Sequence, residues 1–322
     1  MFYMKKRIFS ITVGLTIVLG LLLSCSDKPK NGRTDTYSSG TIKFTADESF
    51  SPIIDECVEV FESIYPQAKL NAEYTNELDA VNMLMKEKVW LAITSRRFTD
   101  AELQNLKERK FMPVAIPIAY DGLAIIVNNS NPDSCITVKD FARILSGKAK
   151  KWKDVYPNSS MGDIDVVFDN AKSSTVHYCV DSILGGVPIN SPNIEAVKKS
   201  AEVVDYVSKH KNSIGIIGSN WLNDKRDTTN VTFNKEIKVM AVSKMDSAVA
   251  SNSWKPYQYY LYNRNYPLVR TIYALLNDPL HRLPWGFTGF ITSPQGQMII
   301  FKSALLPVRG NLTVREVNVS SE

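Results

Sequence analysis

Cysteine and histidine are both scarce, four of the one and three of the other in 322 residues. Cys25, Cys57, Cys135 and Cys179 include no C-x-x-C pair, so a zinc ribbon and a thioredoxin-type dithiol are excluded. His177, His210 and His281 are too few and too dispersed for a histidine-based metal centre, and no metal or cofactor is expected. Signatures of enzymes are missing as well: there is no G-x-S-x-G, H-E-x-x-H, Walker loop or G-x-G-x-x-G. A triad assembled from distant residues needs a general base, and three histidines offer few, so a non-enzyme is expected. A strong charge of one sign is also lacking. The first 25 residues hold Lys5, Lys6 and Arg7 and no acid, and without those three cations the formal +5 falls to +2, which gives no footing for nucleic acid.

What is present is an ordinary globular composition, 44% hydrophobic and 22% charged, long enough for about two domains. It is preceded by an address. Lys5-Lys6-Arg7 leads into an apolar run from Ile8 to Leu23, then Ser24 and Cys25, the order of a secretory signal. Leu22-Leu23-Ser24-Cys25 resembles the lipobox of bacterial lipoproteins, which implies cleavage before Cys25 and lipidation of that residue. The other reading is an uncleaved anchor, and both place the body outside the cytoplasm. Residues 26–40 are polar and turn-forming, as a flexible tether would be.

From Thr41 strand and helix patterns alternate, so sheets flanked by helices are expected. Strands are expected at 42–46, 69–74, 90–94, 164–169, 213–218 and 236–243, and helices at 52–65, 78–87, 138–147, 173–184, 194–209 and 293–308. A polar helix opens at the capping-box sequence Thr99-Asp100-Ala101-Glu102. Met112 to Asn128 reads as two strands interrupted at Tyr120-Asp121-Gly122, where Asp121 caps a hinge turn and Gly122 gives it freedom, and 266–276 is expected to cross back.

Three strand ends run into hydroxyl-rich or basic turns: Ser49-Phe50-Ser51 before Pro52, Ser95-Arg96-Arg97, and Ser173-Ser174-Thr175. Each alone suits an ordinary helix cap. Together, at the carboxyl ends of strands, they suit an oxyanion, because free backbone N–H groups, hydroxyls, a helix dipole and a guanidinium all favour negative charge.

The order of motifs, GTIKFTADESFSP, AITSRRFTDAE, AYDGLAIIVNNSNP, FARILSGKAKKWKDV, FDNAKSSTV, SIGIIG, YPLVRTIY and SPQGQMIIFKSALLPV across residues 41–308, resembles the phosphate-binding lipoproteins of bacterial ABC transporters. The resemblance implies an α/β, two-lobed type II periplasmic-binding-protein fold, each lobe a mainly parallel sheet flanked by helices, with a hinged cleft. It divides the chain into 41–119 plus 272–322 as one lobe and 120–271 as the other. It implies a monomer that binds phosphate without turning it over and presents it to a membrane permease, held to the membrane by lipid at Cys25.

Carried over by position, the implied ligand residues are Ser49, Phe50, Glu77, Ser95, Arg96, Asp169, Ser173, Ser174 and Thr175. The family's acid after the serine of the second turn is Arg96 here, and the arginine before its Ser-Gly-Thr turn is Asp169, so a swapped Arg96–Asp169 pair across the cleft is expected. Glu77 falls where the family has a hydroxyl, either as a selector of phosphate over sulfate or as a solvated helix acid. Two further functions stay open: binding of another oxyanion or a small acidic metabolite, and a surface interaction lipoprotein with a degenerate cleft. Cys57 and Cys179 fall on helix faces, where buried free thiols are expected.

Overall fold

The computed structural model describes residues 32–223 and 233–310. The signal segment, Cys25 and the tether up to residue 31 lie outside them. The chain divides into two units, residues 1–35 and 36–322. In the first, the described part carries an Arg33–Asp35 ion pair of 2.6 Å. No helix among the described residues is long and apolar enough to cross a membrane.

The larger unit holds the strands β1 (Gly40–Asp47), β2 (Ala68–Thr75), β3 (Leu91–Thr94), β4 (Val114–Asn128), β5 (Cys135–Thr137), β6 (Asp165–Phe168), β7 (Ile194–Ala196), β8 (Ser213–Gly218), β9 (Ile237–Val239), β10 (Ala241–Ser243), β11 (Val269–Leu276) and β12 (Leu306–Pro307). Its α-helices are α1 (Ser51–Ile64), α2 (Glu77–Met85), α3 (Asp100–Glu108), α4 (Val138–Leu145), α5 (Ser174–Tyr178), α6 (Ser200–Lys209), α7 (Gln258–Tyr262), α8 (Leu283–Ile291) and α9 (Pro294–Lys302). The main sheet runs β2-β1-β3-β11-β4-β8-β6-β7. Its two ends pair in parallel, β1 with β2 and β3, and β6 with β7 and β8. Between them β11 and β4 run antiparallel to each other and to their outer neighbours.

β4 belongs to both halves. Val114–Gly122 pairs with β11, and Leu123–Val127 pairs with β8. In its second half Leu123, Ile125 and Val127 enter a core around Trp152, Phe141 and Phe168, while Ala124 and Ile126 enter another around Val203 and Val207. That alternation is what a strand covered on both faces requires. The other half has its own pair of cores, one built on Phe44, Phe61 and Phe287 and one on Val81, Leu84 and Leu106. Two sheets, each sandwiched by helices and joined through β4 and β11, make the two-lobed architecture.

Local signals account for most of the elements. Pro52 opens α1, whose Ile53, Ile54, Cys57 and Phe61 are buried. Thr99 and Glu102 form the reciprocal capping box at α3. Tyr37 already lies on α8, where a Cβ on Gly286 would sit 1.8 Å from the Tyr37 carbonyl oxygen, so helix and chain meet there backbone to backbone.

Four expectations need correction. Tyr120-Asp121-Gly122 does not interrupt β4, because β11 pairs with these residues and keeps them extended. Residues 194–196 form the edge strand β7 on β6, and the helix starts only at Ser200. The 173–184 helix changes at Cys179 into a π-helical turn, Cys179–Ile183. The last helix ends at Lys302, and Leu306-Pro307 then pairs with β4.

Candidate functional site

The site lies where the lobes meet, at the carboxyl ends of β1 and β6. β1 finishes at Asp47, whose carboxylate accepts from the Ser49 N–H (2.9 Å) and hydroxyl (2.6 Å), tying the turn before α1. β6 leads to Asp169, which accepts from the Asn170 N–H and from the Ser173 hydroxyl (2.7 Å), while Ser173 caps α5 through the Val176 N–H. The two turns touch: the Ser174 N–H donates to Asp47 Oδ2 (3.0 Å), and the Ser49 and Ser174 hydroxyls are 3.2 Å apart. The Asn220 amide and the Trp221 indole N–H both donate to the Ser49 carbonyl. Glu48 accepts from the N–H and hydroxyl of Ser200 at the start of α6.

Arg270 of β11 stands in the middle of this contact. Its register partner on β4 is Asp121, and Nε donates to Asp121 Oδ2 at 2.8 Å. Nη1 donates to the Ser174 hydroxyl (2.8 Å), Nη2 reaches the Ser49 hydroxyl (3.4 Å), and the guanidinium carbon lies 4.7 Å over the Phe50 ring. Asp121 Oδ1 is held by the N–H and hydroxyl of Ser219, so the acid that orients the arginine is itself fixed. Arg270 is 4% exposed and Asp121 fully buried.

Charge here is crowded. Burial raises the Asp47 carboxyl against the lowering effect of its Ser49 bond. Burial, with the Asp47 charge behind it, pushes Asp169 up to about 7. Burial opposes ionisation of Arg270, but Asp121 and Asp47 outweigh it and keep the guanidinium charged. The cluster therefore holds a fixed cation and two carboxyls that retain protons readily.

A second contact across the lobes lies beside it. Burial pushes Glu77 of α2 upward, and hydrogen bonds from His177 and Ser95 overcome this and lower it. Oε1 accepts from the Ser95 N–H (2.8 Å) and hydroxyl (3.0 Å), and Oε2 is 2.7 Å from His177 Nδ1 on α5. That bond raises the His177 imidazole. A cavity of about 710 Å³ opens next to the cluster, with Asp47, Glu48, Asp169, Ser173, Lys198 and Lys199 in its wall.

The sequence-derived residues thus separate into groups. Ser49, Phe50, Asp169, Ser173, Ser174 and Thr175 come together around Arg270, with Thr175 Oγ1 3.4 Å from Asp169. Glu77 and Ser95 join each other and His177, so Glu77 is buried and is not a solvated acid. Arg96 does not pair with Asp169: its guanidinium is bidentate on Glu102 (2.8 Å to each oxygen), the same acid that closes the α3 capping box. The local ring of Thr99, Glu102 and Arg96 outcompetes a partner across the cleft. Sequence reasoning missed Asp47, Arg270 and the bridging role of His177. The available signal was one arginine in the apolar run of β11 and one acid in the longer run of β4, since lone opposite charges in buried strands must find each other. Cys57 and Cys179 are free and buried, and burial pushes the Cys57 thiol up to about 12. Among the described residues no group of three or more His, Cys, Asp or Glu could hold a metal ion.

A family profile described as PBP superfamily domain matches residues 31–295. The phosphate-binding protein PstS of Pseudomonas aeruginosa is 24% identical over 296 residues, spanning 87% of this chain and 86% of the relative. That of Staphylococcus aureus is 26% identical over 281 residues, spanning 85% and 79%. Among solved structures, a substrate-binding protein with bound phosphate from Clostridium perfringens superposes with a TM-score of 0.68 at 20% identity, covering 84% of this chain and all of that one. An ABC-type phosphate transport receptor from Vibrio cholerae gives 0.63 at 21% identity, covering 83% and 100%. These likenesses establish the two-lobed type II periplasmic-binding-protein fold.

Proposed function

The chain belongs to the PBP superfamily, and from that premise we propose that it binds phosphate between its lobes and hands it to an ABC transporter. The observation that carries this reading is the meeting of Ser49 and Ser174, one from each lobe, beneath a buried guanidinium. Preformed hydroxyl donors and a fixed cation, walled off from water, bind a desolvated oxyanion through many short hydrogen bonds. The named phosphate-binding relatives support the ligand. Binding without turnover needs no nucleophile–base pair, and delivery fits a protein held outside the cytoplasm by a lipid on Cys25, acting as a monomer.

A second reading keeps the fold and takes another oxyanion or a small acidic metabolite. The cavity of about 710 Å³ gives it room, with Lys198 and Lys199 as cations in a wall that also carries Asp47, Glu48, Asp55, Glu73 and Asp169. Calorimetry of the full-length chain, stripped of bound anion by unfolding and refolding, decides between them. Saturable one-to-one binding of phosphate and weak binding of sulfate support phosphate transport. Preference for another oxyanion or a small organic acid moves the assignment to the second reading, and binding of no anion removes both.

A further inference from the structure

The resemblance places an arginine just before the hydroxyl turn of the second lobe, and that position is Asp169 here. Of the two arginines of the second turn, Arg96 is held by Glu102 and Arg97 is exposed. Lys198 and Lys199 are exposed. Transfer of an anion out of water into a closed cleft without a counter-charge costs several kcal/mol, so an anion site here needs a cation from elsewhere. Arg270 is buried at the point of lobe contact and reaches both hydroxyls.

We propose that Arg270, positioned by Asp121, is the charged ligand of the bound anion, a role moved from the start of α5 onto the strand β11 that joins the lobes. This inference rests on the phosphate-binding reading. One edge of the guanidinium is fixed by Asp121 through Nε, which leaves Nη1 and Nη2 facing Ser174 and Ser49. An oxyanion seated there accepts from both nitrogens of the fork and from a hydroxyl of each lobe. Asp47, which now accepts from the Ser174 N–H and from the Ser49 hydroxyl, gives both donors up to the anion. Because β11 pairs with β3 on one side and β4 on the other, an anion on Arg270 is tied to the joining strands as well as to both lobes. Asp121 makes no contact with the anion in this scheme and acts as a positioning residue.

The test uses inorganic phosphate and the full-length chain, comparing the parent with Arg270→Lys. Lysine keeps the charge but cannot reach Asp121 and both hydroxyls at once, so a folded variant should bind phosphate about 10- to 100-fold more weakly, the loss of one charged hydrogen bond. In the parent, the Arg270 Nε–H resonance, assigned through its contacts to the Phe50 ring, should shift on phosphate saturation. Scalar coupling between the Arg270 Nη–H protons and the phosphorus of bound phosphate should appear as well, which a structural arginine that only moves with lobe closure would not show. If the lysine variant fails to fold, these resonances in the parent decide alone. Binding by folded Arg270→Lys within threefold of the parent, an unmoved resonance or an absent coupling at saturation overturns the assignment of Arg270 while leaving phosphate binding standing. Failure of the parent to bind any anion overturns the functional reading and this inference with it.

Discussion

The buried carboxyls set the pH behaviour of single residues. Asp169 has its pKa pushed up to about 7 in the folded chain, against an ordinary value near 4 when unfolded. The folded state thus holds a proton that the unfolded state releases, and the stability tied to it is complete below pH 4 and lost as pH rises through about 7. Asp169→Asn removes this penalty and keeps an oxygen for Ser173. Its melting temperature relative to the parent should therefore rise between pH 5 and pH 8, by the equivalent of about 1–4 kcal/mol. A constant difference, read by calorimetry, would contradict this. His177 works in the same direction. Its raised pKa stabilises the fold below about pH 6.5 and stops doing so as pH climbs past the raised value. The imidazole is part-exposed, so His177→Ala should cost only about 1 kcal/mol at pH 6 and less at pH 8, which urea unfolding at the two pH values checks. At this scale the hydroxyl turns were legible in the sequence, because strand–hydroxyl–helix order is local. The partners of Arg96, Asp169 and Glu77 were not. Each chose among several acids and donors that only the packed chain brings within reach.

Among elements, β4 and β11 carry the account. Their alternating apolar residues were enough to place strands, but the Tyr120-Asp121-Gly122 signal for a turn lost to a ladder from a strand about 150 residues away in sequence, as β propensity does when tertiary pairing decides. The same contest explains β7, where three residues with a helical pattern became an edge strand on β6. Gly122 is needed for space rather than for freedom of the backbone. A Cβ there would lie 2.7 Å from Pro256 Cβ and 3.2 Å from a Leu261 methyl. Gly122→Ala should lower stability by about 1–3 kcal/mol in urea unfolding, since the proline ring cannot give way. An unchanged midpoint would show that α7 moves aside instead. Capping sequences were more reliable than periodicity: the Thr99–Glu102 box and Pro52 placed their helices, whereas Cys179 gave no local warning of its π-helical turn.

For the whole molecule, the two lobes meet through a small set of polar contacts: Ser174 on Asp47, Asn220 and Trp221 on Ser49, Ser200 on Glu48, and His177 on Glu77. Closure is thus held by hydrogen bonds and charge rather than by a shared apolar core, and such contacts break at modest cost when the lobes part. An anion that adds donors from both sides should favour the closed form and raise the melting temperature in step with its concentration. The order of motifs over residues 41–308 made this architecture legible, since it is written in many short segments. The placement of the cation was not, because Arg270 enters the site from a strand outside every hydroxyl turn. The most direct measurement is phosphate binding to the refolded, anion-free chain by titration calorimetry, with sulfate as the control. One saturable phosphate site, with sulfate much weaker, is the predicted result. A folded protein that releases or absorbs no heat with phosphate, and whose melting temperature phosphate leaves unchanged, would contradict it.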